Sequence, residues 1–224
     1  KQNGGYIIAI NPLEETGLVN FKNPKNIKGL LGGGEDIADL HLAVNINQDI
    51  PLMKLILKRL AEKDALDITV FDHEFLKEYT QGYSELINDL KSFDEEELLS
   101  MTGVSDEKIN QAVDVLAKKT KIIVCWAMGL TQHKNGVETI REYVNLLLLK
   151  GAIGKENAGT CPVRGHSNVQ GDRSVGIMHF VDEDLNERIK EHMGFDPPTK
   201  KGIDVVESME AMHTGKASVF IALG

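Results

Sequence analysis

Four short runs of apolar residues are the first feature of the chain, and each has the length of a β-strand. They cover residues 6–10, 40–44, 121–126 and 219–223. The first, third and fourth runs are apolar at almost every position, which is typical of parallel strands that are covered on both faces. We therefore predict four strands in a largely buried sheet.

Between these runs, apolar residues recur at intervals of three and four, which predicts helices. Residues 49–62 show the pattern well, because one helix face carries Leu52, Leu55, Ile56 and Leu60. Similar patterns cover residues 72–81, 84–93, 95–101, 106–118, 136–150, 182–193 and 203–213. We expect Ser105 to cap the helix that starts at residue 106. We expect Gly151 to end the helix at residues 136–150.

Strands that alternate with helices predict an α/β fold. We expect a doubly wound, mostly parallel sheet flanked by helices, of the Rossmann-like kind that binds cofactors, with room for a small helical insertion. Residues 1–120 would form a nucleotide-binding β-α-β half with a helical segment, and residues 121–224 a second α/β half. The chain begins almost directly on one apolar run and stops directly after another. We therefore expect it to be an internal segment of a longer protein.

Composition excludes several classes of function. The 224 residues carry a formal net charge of -9, which disfavours general nucleic-acid binding because that needs a cationic surface. No apolar run is long enough to span a bilayer. The two cysteines, Cys125 and Cys161, form no CxxC motif, so a disulfide framework or a structural zinc site is not expected. Reduced thiols agree with a cytoplasmic location.

Polar residues follow the first two apolar runs, at the sheet edge where doubly wound folds bind nucleotides. Asn11 and Pro12 follow the first run, and they suit either ribose or base contacts or a plain strand-to-loop turn. Gln48 and Asp49 follow the second. Asp49 suits a helix N-cap, and either side chain could also accept hydrogen bonds from a guanine. Gly32, in a glycine triplet without a following GK[ST], does not indicate a P-loop.

The third run leads into a small-residue turn and then a helix, which together form an anion site of free backbone N–H groups. Gly129 lies in this turn, and Thr131, Gln132 and His133 add side-chain donors. The spacing is not GxGxxG, so the usual dinucleotide fingerprint is absent. His133 is a poor metal-ligand candidate because no second histidine lies at helical spacing.

Residues 154–176 form a long stretch rich in Gly, Asn and hydrogen-bonding side chains. Residues 20–35 form a similar stretch. Loops of this length in a compact domain are often functional, and we expect the same of both stretches. Arg164 is the natural anion binder in it, through its planar fork of donors. Cys161 suits either a nucleophile or a structural thiol, and no base is assigned to it.

Two segments resemble the molybdopterin oxidoreductases of the dimethyl-sulfoxide reductase superfamily, in particular their formate-dehydrogenase-like branch. Residues 128–136 read MGLTQHKNG, similar to the family's Gly-x-Thr-Gln turn, and residues 151–176 read GAIGKENAGTCPVRGHSNVQGDRSVG, similar to its signature loop. The runs AINPLEETGL and DIADLHLAVNINQD also fit the family's nucleotide-binding domain. The resemblance covers nearly the whole chain.

The resemblance implies a part of a catalytic subunit that holds a molybdenum bis(molybdopterin guanine dinucleotide). By similarity, Asn11, Gln48 and Asp49 would lie near one guanosine, and the turn residues Gly129, Thr131 and Gln132 near the pterin or pyrophosphate. The cofactor-binding set implied by the matched motifs is completed by Pro12, Asn168 and Gln170. Arg164 would orient a substrate carboxylate beside the metal. A 4Fe-4S cluster would belong to the family's N-terminal portion, and another cofactor-binding domain to its C-terminal portion.

One position departs from the formate dehydrogenase pattern. His166 stands two residues after Arg164, where that pattern has glutamine. A histidine exchanges protons near neutral pH, so we assign Arg164 and His166 as catalytic and the substrate only as formate or a similar small anion. The electron-transfer partner is not identified by the sequence. We expect this segment alone to lack molybdenum and turnover.

Two alternatives have other functions. A non-catalytic α/β nucleotide-binding or regulatory module would share the predicted fold without redox chemistry. A middle domain like those of thiamine-diphosphate enzymes would share the sheet, but that class's cofactor motif is missing from the sequence.

Overall fold

The computed structural model describes residues 4–22, 25, 34, 36–66 and 69–221. Of the glycine triplet at residues 32–34, the described residues include only Gly34. The chain divides into two compact units, Lys1–Val163 and Arg164–Gly224. The boundary predicted near residue 120 therefore lies inside the first unit.

The first unit alternates strands and helices around a helical region. In chain order its described elements are β1 (Ile8–Ile10), α1 (Thr16–Val19), β2 (Leu40–Leu42), α2 (Asp49–Leu66), α3 (His73–Tyr79), α4 (Tyr83–Ser92), α5 (Glu95–Thr102), α6 (Asp106–Lys118), β3 (Ile123–Trp126), α7 (Met128–Thr131), α8 (Gly136–Leu149) and β4 (Gly159–Pro162). This arrangement confirms the predicted α/β class.

The strands of the first unit pair in parallel. Ile8 lies opposite Leu40 in the β1–β2 pair. Ile123 lies opposite Gly159, and Trp126 opposite Pro162, in the β3–β4 pair. The prediction of a loop throughout residues 154–176 is therefore wrong at β4. This strand has no apolar pattern of its own, and its backbone pairing with β3 is what defines it.

Helix α2 forms the centre of the core of the first unit. Its side chains at Leu52, Leu55, Ile56, Leu57 and Leu60 are almost fully buried. The helix packs against α4, α5, α6 and α8. Burying each of these large apolar side chains contributes about 1.5–3 kcal/mol to folding.

Most helix ends follow from local sequence signals. Asp72 begins α3 by accepting a hydrogen bond from Phe75 N at 3.0 Å. Ser105 occupies the N-cap position of α6 as predicted, but its side chain makes no capping hydrogen bond. Gly103 ends α5 with a φ of 72°, a left-handed conformation that glycine adopts without strain.

The second unit contains three helices in its described part, α9 (Val169–Ser174), α10 (Glu183–Met193) and α11 (Val205–His213). Asp204 and Glu207 form a capping box at the start of α11. The strand predicted at residues 219–223 is wrong over residues 219–221, which are irregular and exposed because no neighbouring strand in the described part pairs with them. Residues 222–223 lie outside the described part. Across the described ranges, no helix is both long and apolar enough to cross a membrane.

Candidate functional site

A cavity of about 1080 Å³ lies in the first unit. It runs along β1 and β3 and extends past the ends of both strands, where Asn11, Asp49 and Gly129 line it. The aromatic residues Tyr6, Trp126 and Tyr143 are among those that line it. The cavity therefore brings together the segments that follow three of the predicted strands.

Asn11 continues the parallel pairing of β1 by donating its backbone N–H to Leu42 O at 3.2 Å. Its side chain is engaged in the following turn, because Oδ1 accepts from Leu13 N at 3.1 Å and Nδ2 donates to Glu15 Oε1 at 3.1 Å. The hydrogen bonds of Asn11 are therefore those of a plain strand-to-loop turn. Asn11 and Pro12 still border the cavity.

Asp49 is a buried carboxylate in the cavity wall. It is the first residue of α2 and not its N-cap, so that part of the sequence interpretation is wrong. Its Oδ1 accepts a hydrogen bond from Tyr143 Oη at 3.1 Å. Burial raises the pKa of Asp49, while the hydrogen bond from Tyr143 and the charge of His133 act in the opposite direction. Burial, with the nearby Asp49 charge, also raises the pKa of Tyr143 well above 10.0.

Two buried amide oxygens in the described residues lack a hydrogen-bond partner. They are Gln48 Oε1 and Asn135 Oδ1, and each residue immediately precedes a helix, α2 and α8 respectively. Buried acceptors in native proteins are nearly always paired, so each of these oxygens is an available acceptor for a water molecule or a ligand. Gln48 therefore has an unused acceptor next to Asp49, although its side chain does not line the cavity.

The turn between β3 and α8 is tightly folded. A Cβ atom at Gly136 would lie 2.8 Å from Leu130 O and 2.9 Å from Thr131 O, so the turn requires glycine there. Thr131 Oγ1 lies 3.5 Å from Ala127 O, and Gln132 Nε2 lies 3.5 Å from Met128 Sδ. Both predicted donors therefore have partners within the turn itself, Thr131 a backbone oxygen and Gln132 a side-chain sulfur, and neither residue lines the cavity.

Gly129 lies in the same turn but has a different environment. A Cβ atom there would meet no atom within 4 Å, and its backbone is not left-handed. The fold does not require glycine at this position. Because Gly129 also lines the cavity, the missing side chain leaves room for a ligand to approach the backbone.

The remaining predicted site residues lie in the second unit. Arg164 Nη2 donates to Gln170 Oε1 at 3.0 Å, so the structure brings these two side chains together. His166 is exposed. Asn168 occupies the N-cap position of α9, without a side-chain capping hydrogen bond.

Sequence reasoning missed two cavity residues, Tyr143 and Trp126. Tyr143 follows the apolar face of α8, so its burial was foreseeable. Its bond to Asp49 joins residues 94 positions apart, and no local pattern reports such a contact. Trp126 was recognised as part of a strand but not as part of a site.

Replacing Asp49 with asparagine is expected to make folding stability less dependent on pH. Because burial raises the pKa of Asp49 above 3.8, the folded chain holds this proton more tightly than the unfolded chain does. The stabilisation of the folded state by the protonated Asp49 carboxyl is complete below pH 3.8. It is lost as pH rises through the raised pKa of Asp49. Asparagine stays neutral, so the variant should gain stability over the wild type as pH rises to neutrality. Urea denaturation across this range measures the difference.

The exposed Asp114→Asn substitution provides the control for that series. Asp114 pairs with Lys63 at the surface, Nζ to Oδ1 at 3.1 Å, and both side chains are largely exposed. Such a pair contributes at most about 1 kcal/mol. A stability gain toward neutral pH in the Asp114 variant but not in the Asp49 variant would contradict the burial argument.

No protein-family model matches the chain. The chain is 37% identical over 225 residues to an uncharacterized oxidoreductase, Rv2900c, of Mycobacterium tuberculosis, covering 100% of this chain and 29% of that protein. It is 34% identical over 142 residues to formate dehydrogenase H of Escherichia coli, covering 63% of this chain and 19% of that protein. The chain thus spans less than a third of the length of the curated relatives that it matches.

Among solved structures, acetylene hydratase from Pelobacter acetylenicus matches with a TM-score of 0.54 and 18% sequence identity. The match covers 68% of this chain and 18% of that chain. At this identity the likeness establishes the fold alone. The relatives, the shared fold and the motifs at residues 128–136 and 151–176 agree: the chain is similar along its whole length to curated oxidoreductases, and over 142 residues to formate dehydrogenase H.

Proposed function

We propose that the cavity of the first unit binds the guanosine end of a molybdopterin guanine dinucleotide, as part of a bis(molybdopterin guanine dinucleotide) oxidoreductase. The observation that carries this proposal is Asp49, a buried carboxylate in the wall of a cavity of about 1080 Å³ at the ends of parallel strands. Drug-sized ligands occupy cavities of about 300–1,000 Å³, so the volume suits a nucleotide.

The carboxylate of Asp49 matches the edge of guanine. Guanine presents two adjacent N–H donors, N1–H and N2–H, and a carboxylate accepts from both. Burial of Asp49 strengthens such charge-assisted bonds, because water competes less for the carboxylate. The unpartnered Gln48 Oε1 belongs to the preceding residue, which is outside the cavity lining, so the proposed guanine contact rests on Asp49 alone.

The β3–α8 turn fits the phosphate part of the same cofactor. Gly129 leaves open space beside the backbone, and Gly136 keeps the turn compact. Unlike side chains, backbone N–H groups bind phosphate oxygens without losing rotamer freedom. The fold requires glycine at position 136 but not at position 129. A ligand that approaches the backbone at Gly129 would account for the second glycine.

Arg164 and His166 would act on the substrate. When bound, the molybdenum cofactor supplies two-electron redox chemistry. The guanidinium of Arg164 would orient a small anion such as formate through paired hydrogen bonds, and Gln170 holds that guanidinium in place. His166 would exchange a proton near neutral pH. Asn168 and Gln170 complete the proposed binding loop.

The proposal extends to the complete protein. A 4Fe-4S cluster and an electron acceptor would involve regions of the longer relatives that this chain does not match. The two cysteines of the chain are free thiols, as the proposed cytoplasmic location favours.

Nucleotide titration of this chain tests the guanosine site. We expect GMP to bind more tightly than AMP, and the Asp49→Asn substitution to weaken GMP binding by about 10- to 100-fold, the effect of losing charged hydrogen bonds worth about 1.5–3 kcal/mol. Asp114→Asn should leave both affinities unchanged. Isothermal titration calorimetry measures them, and equal affinity for GMP and AMP would refute the site.

Metal analysis of the complete protein tests the redox part. We expect stoichiometric molybdenum together with dye reduction by a small anionic substrate, formate being the first to assay. If GMP binds but the purified protein holds no molybdenum and reduces no dye, the non-catalytic nucleotide-binding module is the correct function.

A pair of glycine substitutions separates the needs of the fold from those of the ligand. Gly136→Ala should destabilise the chain by about 1–3 kcal/mol, because its Cβ would press on two backbone oxygens. Gly129→Ala should keep or slightly increase stability, since alanine favours the helix, but weaken binding of GMP or the cofactor. Urea denaturation and nucleotide titration measure the two effects. Loss of stability in the Gly129 variant would show that the fold, and not a ligand, needs this glycine.

A further inference from the structure

The two cysteines of the chain lie directly opposite each other on paired strands. The parallel register of β3 and β4 sets Cys125 against Cys161. Adjacent strands are about 4.8 Å apart, which lies within the range of Cα separations that disulfides span. Opposed residues of a ladder also point to the same face of the sheet. The register therefore places the two residues at about the backbone separation that a disulfide bridges.

The two thiols also influence each other electrostatically, because Cys161 helps to raise the pKa of Cys125. Both residues are exposed. Cys125 also lines the large cavity, so small reagents have a route to this pair from that side.

We propose that Cys125 and Cys161 are a reversible dithiol–disulfide site, oxidised by low-molecular-weight disulfides of the glutathione type. The nucleotide and anion sites do not use either thiol. The sequence pattern gives no hint of this pairing, because the two cysteines are 36 positions apart and only the register of β3 with β4 joins them.

The reaction balances as two thiol–disulfide exchanges. The Cys161 thiolate attacks one sulfur of the small disulfide, forms a mixed disulfide and releases one small thiol, which takes up a proton. Cys125 then loses its proton, attacks the Cys161 sulfur and releases the second small thiol. Two protein thiols are oxidised, and one small disulfide is reduced to two thiols.

The order of the two attacks follows from the surroundings of Cys125. Although the residue is exposed, partial desolvation of its thiol and the adjacent Cys161 raise the pKa of Cys125, so this thiol gives up its proton less readily than an ordinary cysteine. The thiolate is the attacking species, which favours Cys161 as the first nucleophile and Cys125 as the resolving thiol. The intermediate would therefore carry the small thiol on Cys161.

The bond would join two segments that matter for the proposed function. Cys125 lies near the end of β3, just ahead of the Gly129 turn, and Cys161 lies three residues before Arg164. Oxidation would fix the β3–β4 register where both segments begin. Any effect on turnover rests on the proposed function, whereas the cross-link itself does not.

Peptide mapping of the complete protein tests the proposal by mass. The reduced protein is freed of reductant, incubated with oxidised glutathione, digested without reduction and analysed. We expect a peptide pair joined through Cys125 and Cys161 that is two hydrogens lighter than the separate peptides together and is lost on reduction. A stable glutathione adduct on Cys161 without the joined pair, links to other molecules, or no reaction at either cysteine would each overturn the proposal.

Single variants separate the two roles. Cys125→Ser should accumulate a stable glutathione adduct on Cys161, because the resolving thiol is missing. Cys161→Ser should react much more slowly at Cys125. Circular dichroism checks that both variants fold, and alanine variants replace any that do not. Equal adduct formation in both variants would contradict the assigned order of attack and with it the proposed site. Because the readout is mass, the result does not depend on molybdenum or activity.

Discussion

Replacing Arg164 with alanine in the complete protein is expected to lower kcat/KM for a small anionic substrate by about 10²- to 10³-fold. The substitution removes the charged fork that would pair with the substrate's carboxylate, and truncating one partner of a desolvated charge pair costs about 2–5 kcal/mol. Molybdenum content should stay close to that of the wild type, because the residue acts on the substrate. Dye-linked kinetics with formate and related anions, alongside metal analysis, measures both quantities.

Two further variants make this prediction specific. Arg164→Lys keeps the charge but loses the planar fork, so it should retain part of the activity. Arg188→Ala removes an exposed arginine from α10 of the same unit and should behave like the wild type. Wild-type kcat/KM in the Arg164→Ala protein, or an equal loss in the Arg188 variant, would remove Arg164 from the proposed mechanism.

Replacing Leu57 with alanine is expected to give the largest loss of stability, about 2–5 kcal/mol. Leu57 lies on α2, is 0% exposed, and belongs to the core around which the helices of the first unit pack. Truncation removes the transfer free energy of the side chain and leaves a cavity that the surrounding helices fill only in part. Urea denaturation of the chain, followed by circular dichroism, measures the change.

The same helix supplies the control. Leu66 ends α2 and is 92% exposed, so Leu66→Ala should change stability by less than about 0.5 kcal/mol. The two variants remove the same atoms and differ in burial. Similar losses of stability in both would mean that α2 does not pack as the structure shows.

The longer helices were predictable because their signals are local, whereas the short helices α1, α7 and α9 were not predicted. The predicted helix at residues 106–118 matches α6 at both ends, since an amphipathic pattern and a cap position coincide there. β4 was not predictable, because the sequence of Gly159–Pro162 lacks alternation and only the partner strand makes it a strand. Residues 219–221 show the converse, because they are apolar and yet form no strand.

The candidate site was predictable only in outline. Asn11, Asp49 and Gly129, which the sequence places beyond parallel strands, line one cavity, and their role as a binding site stays a prediction. The contact between Asp49 and Tyr143 depends on how α8 packs against α2, which no short motif encodes. The unpartnered oxygen of Gln48 is likewise a property of the packed state.

The position of Trp126 makes its fluorescence a natural reporter of what occupies the cavity. This residue is the chain's only tryptophan, and it lines the wall near Gly129. Indole emission depends on the polarity around the ring, so the tryptophan fluorescence of this chain, excited where its four tyrosines do not absorb, comes from a single ring in the cavity wall. A ligand that displaces water there would shift or quench the whole signal. Occupancy of the cavity can thus be followed without attaching a dye.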